Sequence, residues 1–191
     1  MLRFPPLRQA AKTLAVIVTD DPTKRETSTF KALKKMTNEI PTVETQMLIR
    51  KPVAKVFQAF IDPTVTTNFW FTKSSGQLEV GKNVKWEWEM YGFSTNVLTN
   101  EIIPNKLIST EWGDPATVVD YEFTAVTDDS TYVVIKNYGF EETGDDLIRK
   151  VQDSTGGFTT VLDGLKAYLE HNIKLNLIAD KFPKEVINHG Q

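Results

Sequence analysis

The feature that most constrains the fold is a succession of segments between residues 84 and 140 in which apolar and polar side chains alternate. The clearest segment, VKWEWEMY at 84–91, places valine, tryptophan and methionine on one face and charged residues on the other. This period of two is typical of a strand with one buried face. Four more such segments follow, at 93–103, 107–112, 117–126 and 131–140. Because only short polar turns separate them, the pattern predicts an antiparallel meander.

Helix signals flank this meander on both sides. Residues 43–50 alternate and predict a first strand, and Pro52 then opens a short helix with one apolar face. Asp62 followed by Pro63 is typical of the cap and first turn of a second short helix. After the meander, the segment GGFTTVLDGLKAYLEH (156–171) carries apolar residues at helical spacing and predicts a long amphipathic helix that begins at its glycine pair.

This order of elements predicts an α+β fold in which a curved antiparallel sheet closes on the long helix around a cavity. The pair Gly156-Gly157 has two interpretations. It lets the start of the helix approach the sheet closely, or it forms the hinge of a lid over the cavity. Gly164, inside the predicted helix, leaves room for close packing or for a ligand.

The ends of the chain carry weaker patterns than the middle. Residues 1–41 predict a basic N-terminal extension with at most a weak helix at 28–35, and residues 184–191 predict a tail. Between them, residues 42–183 predict one domain. Met36 stands a few residues before the first strand and reads as a natural start, so we expect the first 35 residues to be dispensable for folding.

Composition excludes several classes of function. Residues 41–191 carry fourteen Lys/Arg against twenty-one Asp/Glu, an acidic balance that argues against nucleic-acid binding. The chain has no cysteine, and its histidines, His171 and His189, are predicted to be solvated, so we expect no metal site and no cofactor. The longest uncharged apolar run, residues 14–18, is far shorter than the ~20 residues that span a bilayer. We therefore expect a cytoplasmic protein with no membrane insertion.

Aromatic residues are the strongest chemical signal. Tryptophan, tyrosine and phenylalanine recur in five separate segments, and several stand on the inward face of a predicted strand. They predict either an aromatic-walled pocket for a planar apolar ligand or a packed aromatic core. Glu87 and Glu89 alternate with the tryptophans and are therefore predicted to face solvent.

Six stretches, taken in order, resemble the START-like, helix-grip superfamily and, within it, the branch similar to the activator of the heat-shock chaperone ATPase. They are residues 49–70, 76–92, 102–113, 118–123, 137–140 and 154–170. The resemblance covers about residues 43–183 and implies a sheet curved around the C-terminal helix, with a deep apolar cavity between them. Phe158 stands where this family often carries tryptophan. Asn137 stands where many relatives carry histidine before x-Gly-Phe, which removes an acid–base group and favours binding over catalysis.

The sequence and the resemblance together predict non-catalytic binding of a hydrophobic, aromatic or lipid-like small molecule, with Asn137 orienting a polar group. The predicted ligand-binding residues are Trp70, Trp86, Trp88, Trp112, Tyr121, Phe123, Asn137, Phe158, Leu162 and Leu165. A second hypothesis is a cyclase- or hydrolase-like enzyme acting on an aromatic, polyketide-like substrate, with Glu101, Glu111 or Tyr121 as the acid–base group. A third is a chaperone ATPase-activating module in a stress response, which the resemblance alone supports. The oligomeric state stays open.

Overall fold

The computed structural model describes residues 41–183 of the 191-residue chain. The predicted N-terminal extension, its weak helix, the proposed start at Met36 and the C-terminal tail with His189 therefore lie outside the described residues. All statements below concern residues 41–183.

One antiparallel sheet of seven strands forms the centre of the fold, in the spatial order β1-β7-β6-β5-β4-β3-β2. The strands are β1 (Val43–Ile49), β2 (Lys73–Ser74), β3 (Asn83–Trp88), β4 (Phe93–Ile103), β5 (Leu107–Gly113), β6 (Ala116–Thr127) and β7 (Ser130–Tyr138). The predicted meander from β3 to β7 is confirmed, and β1 returns to pair with β7. Strand β3 ends at Trp88, because residues Glu89–Tyr91 form a single 3₁₀ turn.

The sheet is curved, and two irregularities mark where its strands bend. The register between β4 and β5 shifts between Thr99 and Glu101, and that between β6 and β7 shifts between Ala125 and Thr127. An extra residue on one strand increases its local bend and twist. The result is the predicted α+β helix-grip architecture, a curved sheet that wraps around one long helix.

Four helices accompany the sheet: α1 (Val53–Ile61), α2 (Pro63–Thr66), α3 (Gly144–His171) and α4 (Leu177–Lys181). The predicted cap of α2 is confirmed, since Asp62 Oδ1 accepts a hydrogen bond from the Thr64 amide at 2.9 Å. Helix α3 begins twelve residues before Gly156, so the prediction that it opens with the glycine pair is wrong. Asp145 and Asp146 occupy its first turn, where carboxylates stabilise the helix dipole.

The close contact between helix and backbone lies at Gly164, where close packing was one of the two predictions, and not at the glycine pair. A Cβ built on Gly164 would lie 2.9 Å from the carbonyl oxygen of Phe69, whereas one on Gly157 would meet no atom within 4 Å. One on Gly156 would meet the flexible Lys181 Nζ at 3.0 Å. Close approach therefore requires glycine in the second half of α3, at Gly164, and not at the glycine pair.

The core lies between the inner face of the sheet, the short helices and the second half of α3. Its largest fully buried side chains include Trp86, Tyr121 and Phe71, and α3 contributes Leu162 and Leu165. The Phe71 and Trp86 rings stack with centroids 4.6 Å apart. Burial of this aromatic and aliphatic surface provides most of the driving force for folding.

A buried carboxylate fastens the C-terminal end of α3 to the first strand. Glu170 Oε1 accepts hydrogen bonds from the Arg50 amide at 2.7 Å and from Lys166 Nζ at 2.6 Å. Lys166 Nζ also donates to the Leu48 carbonyl at 2.8 Å. Burial alone would raise the pKa of Glu170, but the bonds from Lys166 and Arg50 outweigh it and hold the pKa below its ordinary value of 4.5.

Replacing Glu170 by glutamine is expected to lower the free energy of unfolding by about 1 kcal/mol at pH 7. Because the folded-state pKa is depressed, the stabilisation is complete above the unfolded-state pKa and is lost as the pH falls through the folded-state pKa. The difference between Glu170→Gln and the parent should therefore shrink as the pH falls below the unfolded-state pKa of about 4.3, and disappear below the folded-state pKa. Urea unfolding at a series of pH values measures it, and a difference that does not change with pH would contradict the role of the charge.

Candidate functional site: an aromatic cavity

A cavity of about 990 Å³, partly open to solvent, lies between one end of the sheet and residues 150–161 of α3. Its volume is at the upper end of the range for small-molecule sites, roughly 300–1,000 Å³. The sheet contributes the end of β3, the starts of β4 and β6, and the ends of β5 and β7. Helix α4 and Phe182 cover a further side. The site is thus built from segments that are distant in sequence.

Aromatic rings make most of the wall. Trp88 and Trp112 lie nearly parallel with their centroids 6.4 Å apart, and Phe158 of α3 meets the edge of Trp112 at 6.3 Å. Trp70 lies 6.2 Å from Phe158. The remaining aromatic lining residues are Tyr91, Phe93 and Phe182. Flat, rigid side chains of this kind present a large apolar surface with little conformational freedom to lose, which suits a planar hydrophobic ligand.

Asn137 and Thr117 form the polar part of the sheet wall. Asn137 Nδ2 donates to Thr117 Oγ1 at 2.9 Å and to the carbonyl oxygen of Val118 at 3.0 Å. The Val118 carbonyl can only accept, so this contact fixes which end of the amide is nitrogen. Asn137 is 2% exposed, and it is held rigidly with its amide nitrogen fully used.

The first half of α3 supplies a polar rim. Lys150, Gln152, Asp153 and Ser154 line the cavity from this helix, and Lys150 Nζ lies 3.4 Å from Glu142 Oε1. The backbone amide of Glu142 and, to a smaller extent, Lys150 hold the pKa of the Glu142 carboxyl below its ordinary value. Lys150 is thus already neutralised by a carboxylate of its own chain.

Helix α4 is tied to the sheet at the cavity by Tyr91. The Tyr91 hydroxyl donates a hydrogen bond to the Ile178 carbonyl oxygen, and its ring meets the edge of Phe182 at 6.4 Å. Burial raises the pKa of this hydroxyl, so it stays protonated and able to donate at neutral pH. On the other side, Lys181 Nζ lies 3.4 Å from Thr160 Oγ1 of α3.

The structure divides the ten predicted site residues into two groups. Those on the cavity wall are Trp70, Trp88, Trp112, Asn137 and Phe158. Those in the packed core are Trp86, Tyr121, Phe123, Leu162 and Leu165, each at most 4% exposed. The second group shares the inward face of the sheet or helix with the first. It lies away from the cavity end, where side chains of α1 and of the segment after α2 pack against the sheet. Phe57 and Phe60 contact Phe123 and Tyr121, and Trp70 and Phe71 contact Trp86.

The three predicted acid–base residues lie away from the cavity lining. Glu101 is exposed on β4, and Glu111 of β5 is half-buried outside the cavity. Tyr121 lies in the core, where burial raises the pKa of its hydroxyl far above the ordinary value; Thr110 and Trp112 offset this only in part. Tyr121 is therefore neutral at physiological pH and cannot act as a general base.

The sequence did not point to the residues that line the cavity from α4 and from the first half of α3. A signal for the helix was present, because Leu147 and Val151 extend the apolar stripe of Phe158 upstream at helical spacing. For Ile178, Lys181 and Phe182 there was no such signal, since α4 has only five residues and no capping side chain. Tyr91 and Phe93 flank the turn between β3 and β4. No local pattern predicts that this turn lies against the cavity.

Comparison with known proteins identifies the family. The family model described as "Activator of Hsp90 ATPase homolog 1-like protein" matches residues 50–170, more than half of the chain. The chain belongs to this family. The predicted membership in the corresponding branch of the START-like superfamily is thereby confirmed. A search of curated proteins gives no match.

Solved structures support the same fold. The protein SSP2350 from Staphylococcus saprophyticus is 27% identical, with a TM-score of 0.62 over 71% of this chain and 96% of that one. The Aha1 dimer from Colwellia psychrerythraea is 20% identical, with a TM-score of 0.59 over 69% and 98%. DynU16, a protein of the dynemicin biosynthetic locus, is 16% identical, with a TM-score of 0.61 over 70% and 48%. The last two likenesses concern the fold alone.

Within residues 41–183, no group of three or more histidine, cysteine or acidic side chains is arranged to hold a metal ion. None of the helices described here is long and apolar enough to cross a membrane.

Proposed function

We propose that this protein binds a hydrophobic, aromatic or lipid-like small molecule in the cavity and does not transform it. The observation that carries the proposal is the cavity itself, about 990 Å³ with a predominantly aromatic wall and a fixed amide at its sheet side. An apolar pocket with a few well-placed polar groups is the usual form of a ligand site. Membership of the family supports a ligand-binding or polyketide cyclase-like role.

The chemistry of the lining favours binding over a cyclase-like reaction. Asn137 and Thr117 on the sheet wall are an amide and an alcohol, neither of which exchanges protons near neutral pH. Lys150 is paired with Glu142, and the tyrosine of the wall, Tyr91, donates to a backbone carbonyl. DynU16 comes from a biosynthetic locus, but that likeness supports only the shared fold.

The other predicted functions have less support from the structure and the comparisons. The chaperone-activating role draws support from the name of the family and from the Aha1 dimer, and a chaperone surface on this chain stays a prediction. The cytoplasmic location and the role in a stress response likewise stay predictions.

The test is a screen of fatty acids, flavonoids and naphthalene derivatives by tryptophan fluorescence and thermal shift. We expect saturable binding from one chemical class. Three wall residues, Trp70, Trp88 and Trp112, are tryptophans, so a ligand in the cavity should change the fluorescence. A ligand at 100 times its dissociation constant should stabilise the fold by about 2.7 kcal/mol. If no class binds, the proposal is refuted.

Replacing Trp88 by alanine is expected to weaken the ligand found in this screen at least tenfold, because it removes one of the two parallel rings of the wall. The free energy of unfolding should fall by less than in a fully packed tryptophan variant. Titration by fluorescence or calorimetry measures the affinity. The control is Tyr132→Ala, on the outer face of β7, which should leave affinity unchanged. Lost stability with unchanged affinity would make Trp88 a core residue only.

A further inference from the structure

The hydrogen-bond pattern around Asn137 restricts what a ligand can present there. Both hydrogens of Nδ2 are used, by Thr117 Oγ1 and by the Val118 carbonyl. Within residues 41–183, no hydrogen bond to Oδ1 is present, and Asn137 is one of the residues that line the cavity. The atom that Asn137 offers to a ligand is thus an acceptor.

Thr117 completes the pattern with a donor. Its Oγ1 accepts from Asn137, so its own hydroxyl hydrogen must point elsewhere, and no acceptor for it occurs within the described range. Thr117 and Asn137 both line the cavity. Together they offer one acceptor and one donor, side by side, in a wall that is otherwise apolar.

We propose that the ligand carries a neutral group that both donates and accepts, such as a phenolic or alcoholic hydroxyl, and that this group binds between Asn137 Oδ1 and Thr117 Oγ1. The inference rests on the proposed function and adds the polar chemistry of its ligand. A hydroxyl would satisfy both protein atoms at once. Each of them otherwise stays unpaired when an apolar ligand displaces water, which costs binding free energy.

The same arrangement disfavours a carboxylate at this position. A carboxylate has only acceptor atoms, so one of its oxygens would face the lone pairs of Asn137 Oδ1. The cations of the lining do not compensate, because Lys150 is paired with Glu142 and Lys181 is exposed on α4 beside Thr160. Asp153, the carboxylate of the lining, is exposed as well, so the charges of Asp153 and Lys181 offset each other.

The test compares three probes of nearly equal size: 2-naphthol, 2-methoxynaphthalene and 2-naphthoate at pH 7. We expect 2-naphthol to bind at least tenfold tighter than 2-methoxynaphthalene, which has lost the donor, and 2-naphthoate to bind weakest. Equal affinity for the first two, or tightest binding of the naphthoate, would overturn the inference while leaving the cavity proposal intact. If none of the three binds, the inference fails, and the wider screen of fatty acids and flavonoids decides the cavity proposal.

Variants of the two residues connect any discrimination to the proposed atoms. Asn137→Leu, similar in size, removes the acceptor and should prefer 2-naphthol over 2-methoxynaphthalene by less than twofold. Because Asn137 is buried and this variant could fail to fold, Thr117→Val provides a second test. It removes the donor to an oxygen that both probes carry, so it should weaken both of them. Thr117→Ser keeps the hydroxyl and should retain the affinity for both. Unchanged preference in a folded Asn137→Leu, or unchanged affinity for both probes in a folded Thr117→Val, would refute the assignment.

Discussion

Replacing Trp86 by alanine is expected to lower the free energy of unfolding by about 3–5 kcal/mol, the usual cost of deleting a fully buried aromatic ring. Trp86 is 2% exposed and stacks on Phe71, with Trp70 at 4.8 Å and Trp112 at 6.0 Å between ring centroids. The space that it leaves is bounded by other rigid rings, which cannot easily move to fill it.

For a chain of this size the melting temperature should fall by roughly 10 °C, since each kcal/mol corresponds to about 2–4 °C. Urea unfolding and calorimetry provide the two measurements. Trp86→Phe is the matched control, because it keeps a ring against Phe71 and should lose much less stability. A loss below about 1 kcal/mol in Trp86→Ala would show that this ring is not part of a tightly packed core.

Replacing Gly164 by alanine is expected to destabilise the protein by about 1–2 kcal/mol, although alanine is the better helix former by ~1 kcal/mol. The added Cβ would lie 2.9 Å from the Phe69 carbonyl oxygen and 3.2 Å from the Phe69 Cβ. Phe69 belongs to the packed segment that follows α2. To make room for the methyl group, α3 would have to move away from this segment. The overpacking therefore outweighs the gain in helix propensity.

The matched control for Gly164 lies in the same helix. Gly157→Ala meets no atom within 4 Å and should stabilise the protein by about 0.5–1 kcal/mol through helix propensity alone. The two glycine-to-alanine substitutions, two helical turns apart, should therefore change the free energy of unfolding in opposite directions. Denaturant unfolding of both variants measures it. If both substitutions stabilise the protein, the backbone at Phe69 can move away from the added methyl group at little cost in free energy.

The parts of the fold that the sequence predicts are those that local patterns determine. Alternation defines β3 to β7, because a one-residue slip would expose every apolar side chain of a strand. Asp62 and Pro63 define the start of α2 for a similarly local reason. The start of α3 was missed, because Gly156 and Gly157 were interpreted as a boundary. Tertiary packing carries the helix through them in spite of their low helix propensity.

The candidate site could be predicted only in part, for a different reason. Period-two alternation identifies the inward face of a strand but not the depth of a residue along it. Trp86 and Trp88 therefore looked equivalent, yet Trp86 lies in the core and Trp88 on the cavity wall. The helix shows the same ambiguity between Phe158 and Leu162. What separates core from cavity wall is where α1 and residues 69–71 fill the space between the sheet and α3, which local periodicity does not show.

The position of the cavity along α3 has a consequence for how proteins of this kind could diversify. Lys150, Gln152, Asp153 and Ser154 line the cavity, whereas the fully buried core side chains Leu162 and Leu165 lie about two to four turns further on. Changes at the first four positions could alter ligand preference with little effect on the folded state. Selection, or a laboratory library confined to those four positions, could therefore explore new specificities on an unchanged scaffold.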